Sequence, residues 1–276
     1  VAASVFGRVV VVNARRSRLA PRPRDGLALG RAARGCEHPG GMSDLGSFTA
    51  PARLPGAAPL TGARVRLERL DAARHGDDLF AASGAEAGDA LLWHYLPYGP
   101  FDGDRAGFDA HLRAQEAAAD PWFYAVVDVA SGRAGGVVSF LRGTAEHGSI
   151  EIGHIWFGAA LQRTPAATEA IFLLARAAFD TLGMRRLEWK CDAANARSRA
   201  AAERFGFSYE GTFRQHMVVK GRNRDTAWFA ILDGEWPAVR AAFQAWLAPE
   251  NFGAGGAQRA PLAALRADAA AAPASS

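Results

Sequence analysis

The 276-residue chain has only two cysteines, Cys36 and Cys191. Two cannot build a disulfide framework or a cysteine metal cluster, and their scarcity suits a reducing, cytoplasmic setting. No stretch approaches the ~20 consecutive apolar residues that a membrane-spanning helix needs. There is no G-x-G-x-x-G between a strand and a helix and no G-x-x-x-x-G-K-[ST], so dinucleotide-binding and P-loop folds lose their signature. Positive charge is scarce too, once its position is considered. The formal charge of +4 comes from residues 1–41, where eight Arg stand against Asp25 and Glu37. Residues 42–276 carry 24 basic and 26 acidic groups. No aromatic residue interleaves the leader's arginines as a stacking surface for bases would require, which argues against a nucleic-acid partner. No metal and no membrane partner is expected.

What remains is the composition of an ordinary globular protein, 49% hydrophobic and 22% charged, long enough for one substantial core with tails. Residues 1–41 are Arg-rich and broken by Pro and Gly, and the first Met is Met42. An over-extended start with Met42 as the working N-terminus is the expectation; a targeting peptide or a basic arm are the other readings. Residues 42–60 read as a linker or a loosely docked arm. Residues 249–276 are Ala-rich and expected to be disordered, with at most a short helix around PLAALRAD. The domain spans 61–248.

Inside it, hydrophobic periodicity alternates between 2 and 3.6 residues. Strands are expected at GARVRLERL, WFYAVVDV, GGVVSFLRG, SIEIGHIWFG, RRLEWKCDA, SYEGTFRQHMVV and DTAWFAIL. Helices are expected at 72–84, 103–118, TPAATEAIFLLARAAFDTLG, NARSRAAAERFGF and EWPAVRAAFQAWL. The order β-α-α-β-β-β-α-β-α-β-β predicts an α/β fold: a mixed, mostly antiparallel sheet with helices on both faces.

The segment 161–172, LQRTPAATEAIF, joins a strand to a helix without a glycine. Thr164 suits an N-cap and Pro165 the first helical position, where its missing N–H costs nothing. The amides of Ala166 and Ala167 then stand unpaired at the positive end of the helix dipole, with Gln162 and Arg163 as further donors. This is a geometry suited to a phosphate.

These residues, in this order, resemble the GNAT-type N-acetyltransferases and, within them, the RimJ/RimL-like group. Gln162-Arg163-Thr164-Pro165-Ala166-Ala167, followed by Thr168-Glu169-Ala170, is similar to that family's acetyl-CoA signature Q/R-x-x-G-x-G/A; Pro165 stands where the family has Gly. EIGHIWF (151–157) resembles the strand before the signature. Asn195-x-x-Ser198, Glu203-Arg204-Phe205-Gly206-Phe207, Glu210-Gly211, Arg224-Asp225 and Glu235-Trp236 continue the likeness, which covers residues 62–247.

The resemblance implies direct transfer of acetyl from acetyl-CoA to a primary amine, on a peptide or protein N-terminus or a small molecule. A CoA-binding regulatory module without catalysis is the alternative. It implies cofactor contacts from Ile155, Trp156 and Phe157 through their backbone, from residues 162–167 and Thr168, and from Asn195 and Ser198. Ser198 would protonate the departing thiolate or simply cap its helix, and Asn195 would hold pantetheine, cap the same helix, or both. Glu151, placed by alternation opposite His154, is the candidate base; a solvated or salt-bridged strand carboxylate is the other reading. His154 would relay a proton or sit in the core. Cys191, in phase with Leu187 and Trp189, reads as a small buried hydrophobe. The aromatic segment 91–103, with Trp93, Tyr95, Tyr98 and Phe101, would wall the acceptor pocket or pack on its own core; Arg214 and His216 would face the acceptor. The strand hairpin near the C-terminus could pair two copies of the chain.

Overall fold

The computed structural model describes residues 52–84 and 90–271. Eight strands form one sheet: β1 Leu60–Thr61, β2 Val65–Arg69, β3 Trp122–Asp128, β4 Ala134–Thr144, β5 Ser149–Phe157, β6 Arg186–Asp192, β7 Ser208–Val219 and β8 Arg222–Leu232. Their order is β1-β2-β3-β4-β5-β6-β8-β7. Among the described residues every pairing is antiparallel except β5 with β6. The helices are α1 Ala72–Ala82, α2 Ala90–Trp93, α3 Arg105–Glu116, α4 Pro165–Arg176, α5 Ala196–Phe205, α6 Trp236–Leu247 and α7 Leu262–Ala271.

Two cores sandwich the sheet. One lies under α4, α5 and α6, where Ile171, Leu174, Ala202, Phe243 and Trp246 meet Ile150, Ile152, Leu187 and Trp189. The other lies under α1, α2 and α3, where Leu79, Trp93, Phe108 and Leu112 meet Phe123, Val137 and Trp156. The helix ends follow side-chain chemistry. Asp71, Asp104, Thr164 and Asn195 each accept an amide N–H from the first turn of the helix that follows. Gly206 ends α5 at φ 98°, a left-handed backbone that is strained for residues with a Cβ.

One buried carboxylate ties the sheet's first hairpin to the helix of the phosphate-like turn. Glu169, on α4, accepts from the amides of Ala63 (3.1 Å), Arg64 (2.6 Å) and Val65 (2.9 Å), and the Arg64 guanidinium stands 3.7 Å away.

One boundary expectation is corrected and another is resolved. The predicted disorder of 249–276 does not hold through residue 271. Asn251 is buried and bonds to Trp246 O, Ala260 O and Ala260 N. The Trp246 indole donates to Gln258, Leu262 is buried, and Arg266 caps the carbonyls of Glu203 and Arg204. The short helix expected around PLAALRAD is α7; an alanine-rich composition averages over these few anchors and so gave no sign that it docks. Of the two readings of 42–60, linker or docked arm, the described end is docked: Ala52 N–H reaches Ala145 O and Arg53 N–H reaches Leu182 O. The readings of 1–41 and 42–51 lie outside the described residues. Among the described residues no helix is long and apolar enough to cross a membrane.

Candidate active site

The parallel pairing is short. β5 and β6 are in register from Ser149↔Arg186 to Ile152↔Trp189 and no further. Beyond that point β5 continues to Phe157 on β4 and β6 continues to Asp192 on β8. Residues 153–157 therefore turn one backbone edge, unpaired by β6, to a slot through the sheet, with the Phe157 carbonyl at its end taken by Gln162 Nε2. Unpaired amides and carbonyls there need another partner, and an extended, amide-bearing chain is what such an edge accepts.

A bulge marks the start of the slot. Between the pairs Gly153↔Ser139 and Trp156↔Val137, β5 takes three steps against two on β4, and His154 takes φ 50°. The extra residue reverses the phase of the strand. Ile150 and Ile152 face the α4–α6 core, Trp156 faces the α1–α3 core, and Ile155 and Phe157 pack back on the first. Glu151 and His154 thus share one face of the sheet. Simple alternation predicted opposite faces, and the bulge corrects it.

The neighbours of these two residues differ. Glu151 is 3% exposed. Its carboxylate takes Arg142 Nε at 2.8 Å and Nη2 at 3.1 Å, and Lys190 Nζ at 2.9 Å; Lys190 also reaches Glu188 at 2.7 Å. Both carboxylate oxygens are occupied, as the salt-bridged reading anticipated. His154 instead lies in an aromatic setting, stacked on Tyr98 (5.7 Å between centroids, 7° between planes) and against Phe123. Burial, with the charges of Arg142, His111 and Arg224 behind it, holds its imidazole down at about 4, so it is neutral at physiological pH.

On the other face of the slot, Asn195 Oδ1 accepts the Ser198 amide at 3.0 Å. The Trp189 indole donates to Ser198 Oγ at 3.0 Å. Asn195 is therefore the N-cap, with its side-chain NH2 left over. Cys191 is buried beside Ser198, and burial raises its thiol, as expected of a core cysteine.

At the turn before α4, Thr164 and Pro165 behave as the sequence suggests: Thr164 caps and Pro165 opens the helix. The donor supply is smaller than expected. Ala167 N–H is held by Thr164 Oγ1 at 3.3 Å, Thr164 N–H by Leu161 O, and Gln162 Nε2 by Phe157 O at 2.8 Å. The hydroxyl of Thr168 is buried against Arg204 rather than turned to the loop. The amide of Ala166 remains at the helix N-terminus, and Arg163 is exposed in a left-handed conformation, φ 62°. Gly158 starts the turn because a Cβ there would stand 2.5 Å from Ala82 O at the end of α1.

The aromatic segment divides. Trp93 is 1% exposed and packs on Trp156, Phe101 and Tyr98, and Phe101 packs on Phe108. Both belong to the core, against the expectation that they line a pocket. Tyr95 ties the segment to the end of β6 through Ala194 O, 3.2 Å. Tyr98 is the member that reaches His154. Arg214 is exposed in a hairpin groove with Asp225. Two further cations reach the slot's surroundings. The charge of Arg224 acts on His154 and Cys191, and Lys220 Nζ donates to Trp93 O at 2.8 Å, pinning the hairpin to the aromatic segment. A bulge around Gln215 in β7 sets these reaches, and nothing in the local sequence announces it. Among the described residues no three His, Cys, Asp or Glu side chains gather as metal ligands.

The family model described as "Acetyltransferase (GNAT) domain" matches residues 64–208, more than half of the chain. A curated Bacillus subtilis protein named as a candidate ribosomal N-acetyltransferase, YdaF, is 33% identical over 86 residues, 31% of this chain and 46% of its own. The chain thus spans about half the length of that relative. Among solved structures, a GCN5-related N-acetyltransferase from Brucella melitensis is 50% identical over 80% of this chain and 99% of its own, with TM-score 0.77. A probable acetyltransferase of the GNAT family from Chromobacterium violaceum is 48% identical over 70% and 94%, with TM-score 0.63. The microcin C7 self-immunity acetyltransferase MccE, solved with acetyl-CoA and AMP, shares the fold at 19% identity, 62% and 93% coverage and TM-score 0.54. The open strand edge, the capped helix beside it and these matches agree: the chain belongs to the GNAT acetyltransferase family.

Proposed function

We propose that the protein is an acetyl-CoA-dependent N-acetyltransferase that acts on a primary amine. The observation that carries this reading is the slot between β5 and β6, with a backbone edge that β6 leaves unpaired from residue 153 onward, closed at its far end by Gln162 on Phe157 O, and a hydroxyl on one side of it. Acetyl-CoA supplies the thioester carbonyl that an amine attacks. The residues fit such a group. The edge of β5 offers amides and carbonyls to the pantetheine arm, Asn195 keeps its NH2 donors for the same arm, and the Ala166 amide with Arg163 meets the pyrophosphate at the N-terminus of α4.

Ser198 is suited to protonate a departing thiolate. Its oxygen takes the Trp189 N–H, which polarises the hydroxyl proton toward release; in the resting site that hydroxyl also interacts with the Cys191 sulfur. His154 stands across the sheet from Ser198, so the acceptor amine enters from the α1–α3 face and the sulfur leaves on the α5 face. The nearby carboxylates are engaged: Glu151 by Arg142 and Lys190, and Asp120 by the Arg142 amide. Among the described residues no carboxylate beside His154 is without a partner, which favours an amine that is already partly neutral. A peptide α-amine, near pKa 8, meets that condition at neutral pH, and a lysine side chain near 10.4 does not. The ribosomal N-acetyltransferase description of the Bacillus subtilis relative supports the same acceptor class.

The test is thioester consumption with acetyl-CoA across a panel of peptides and small amines, beside thermal shift with CoA and acetyl-CoA. Turnover with at least one α-amine and a raised Tm are expected. A second reading, a CoA-binding regulatory module, is favoured by the engaged amides of Thr164 and Ala167. A raised Tm without turnover of any acceptor would support it.

A further inference from the structure

Seven side-chain nitrogen or oxygen atoms among the described residues are buried without a hydrogen-bond partner, and four belong to residues in one place: Tyr98 OH, His111 Nε2, Gln115 Nε2 and His154 Nδ1. The Tyr98 and His111 rings lie 4.2 Å apart, Tyr98 stacks on His154, and the Gln115 side chain approaches the Tyr98 hydroxyl closely enough to pull its pKa down but without the geometry of a well-formed hydrogen bond. Gln115 is 5% exposed, whereas Tyr98, His111 and His154 are half-buried. The cluster therefore runs from the surface inward, and its orphaned atoms sit at the inner end.

An orphaned buried donor or acceptor is left desolvated without compensation, and apolar side chains of similar shape would avoid that cost in a core otherwise built of Trp93, Phe101, Phe108 and Phe123. Orphaned polar atoms concentrated beside the slot are the arrangement expected of a subsite whose partner arrives with the substrate.

We infer that Tyr98, His111, Gln115 and His154 form an acceptor subsite that takes an uncharged hydrogen-bonding group, a hydroxyl or a carboxamide, carried close to the amine that is acetylated. The subsite rests on the acetyltransferase reading and deepens it. The position next to the amine follows from His154, two residues past the last β5–β6 pair. The neutrality of the ligand group follows from the walls. Burial keeps both imidazoles below their usual range and the phenol well above its own, so the cluster offers donors and lone pairs but no charge. A charged group there would lose its hydration: a cation would meet the like charges of Arg142 and Arg224 that act on His154, and an anion would have to share Arg142 with Glu151. Entry requires Tyr98, on the segment between α2 and α3, to give way. The competing occupant is a buried water, which needs 2–4 polar partners of the same kind but imposes no preference on the acceptor.

The experiment measures kcat/KM with acetyl-CoA for seryl-, asparaginyl-, alanyl-, aspartyl- and lysyl-alaninamide, in the full chain and in His111→Phe and Gln115→Met. Both variants replace an orphaned polar group by an apolar one of similar size, so folding should persist; Tm and its shift with CoA verify this. The expected result is a preference of roughly tenfold or more for the seryl or asparaginyl acceptor over the other three, as one well-made hydrogen bond gives. In both variants the preference should shrink to within about threefold. A flat profile in the wild type, or a preference that survives both substitutions, overturns the subsite while leaving the acetyltransferase reading intact. Absence of turnover with the wider amine panel defeats the acetyltransferase reading and takes the subsite with it.

Discussion

The indole of Trp189, on β6, donates to the hydroxyl of Ser198, on the first turn of α5, at 3.0 Å. A strand residue that the sequence assigns to the core thereby fixes the hydrogen-bonding role of a helix residue at the slot. Ser198→Ala is expected to lower kcat by up to ~10²-fold, the usual range for a lost general acid, with little change in the KM for acetyl-CoA. Trp189→Phe should give a smaller loss in the same direction. Wild-type kcat in both would reduce Ser198 to a residue of the helix cap.

The phosphate-like turn makes a separate demand. Ala166→Glu puts a carboxylate at the one helix amide that the turn leaves open, and the KM for acetyl-CoA should rise by ~tenfold or more, the factor that ~1.4 kcal/mol of repulsion produces. Thr164→Ala should instead cost about 1 kcal/mol of stability through the lost cap, read by urea denaturation. Unchanged KM in Ala166→Glu would move the pyrophosphate elsewhere.

His154 makes stability depend on pH. Its folded pKa, about 4, lies below the unfolded value near 6.5, so between these values the unfolded chain binds more protons. Stability is complete above pH ~6.5 and falls as the pH drops toward 4, by about 3 kcal/mol in all. His154→Gln should flatten this part of the Tm–pH curve. The shifted carboxylate of Glu188, lowered despite its burial by Arg186 and Lys190, acts below its own unfolded pKa and leaves the upper part of the window to His154 and to His111, whose imidazole burial also lowers. Parallel curves for variant and wild type would contradict the buried, neutral imidazole.

Glu151→Gln separates a base from a strut. The ion-paired geometry predicts a lowered Tm, because Lys190, almost fully buried, keeps only Glu188 as a full counter-ion. The low-pH limb of kcat/KM should stay in place. A lost limb with an unchanged Tm would restore Glu151 as the base.

Glu169→Ala removes the acceptor of three amides at once. A loss of roughly 3 kcal/mol or more is expected, seen as a drop in urea midpoint without a change in slope. A loss below about 1 kcal/mol would mean that the hairpin finds other acceptors or water.

Local chemistry is what the sequence determined on its own. Alternation in RRLEWKCDA, the Thr164-Pro165 pair, Asn195 ahead of its helix and Gly206 after it each act within a few residues, so their strands, caps and stops are legible in the chain itself. Tertiary structure decided what depends on phase and on distant partners. One extra residue at His154 turned it onto the face of Glu151, which no count of alternating residues foresees. Glu151 became a strut because Arg142 and Lys190 arrive from neighbouring strands. Trp93 and Phe101 entered the core because Trp156 and Phe108 waited there. The Ala-rich tail folded onto α6 because Asn251 and Leu262 found partners. The orphaned atoms of Tyr98, His111, Gln115 and His154 lie on three separate segments, and only the packing of α3 and the aromatic segment against the β5 bulge brings them together.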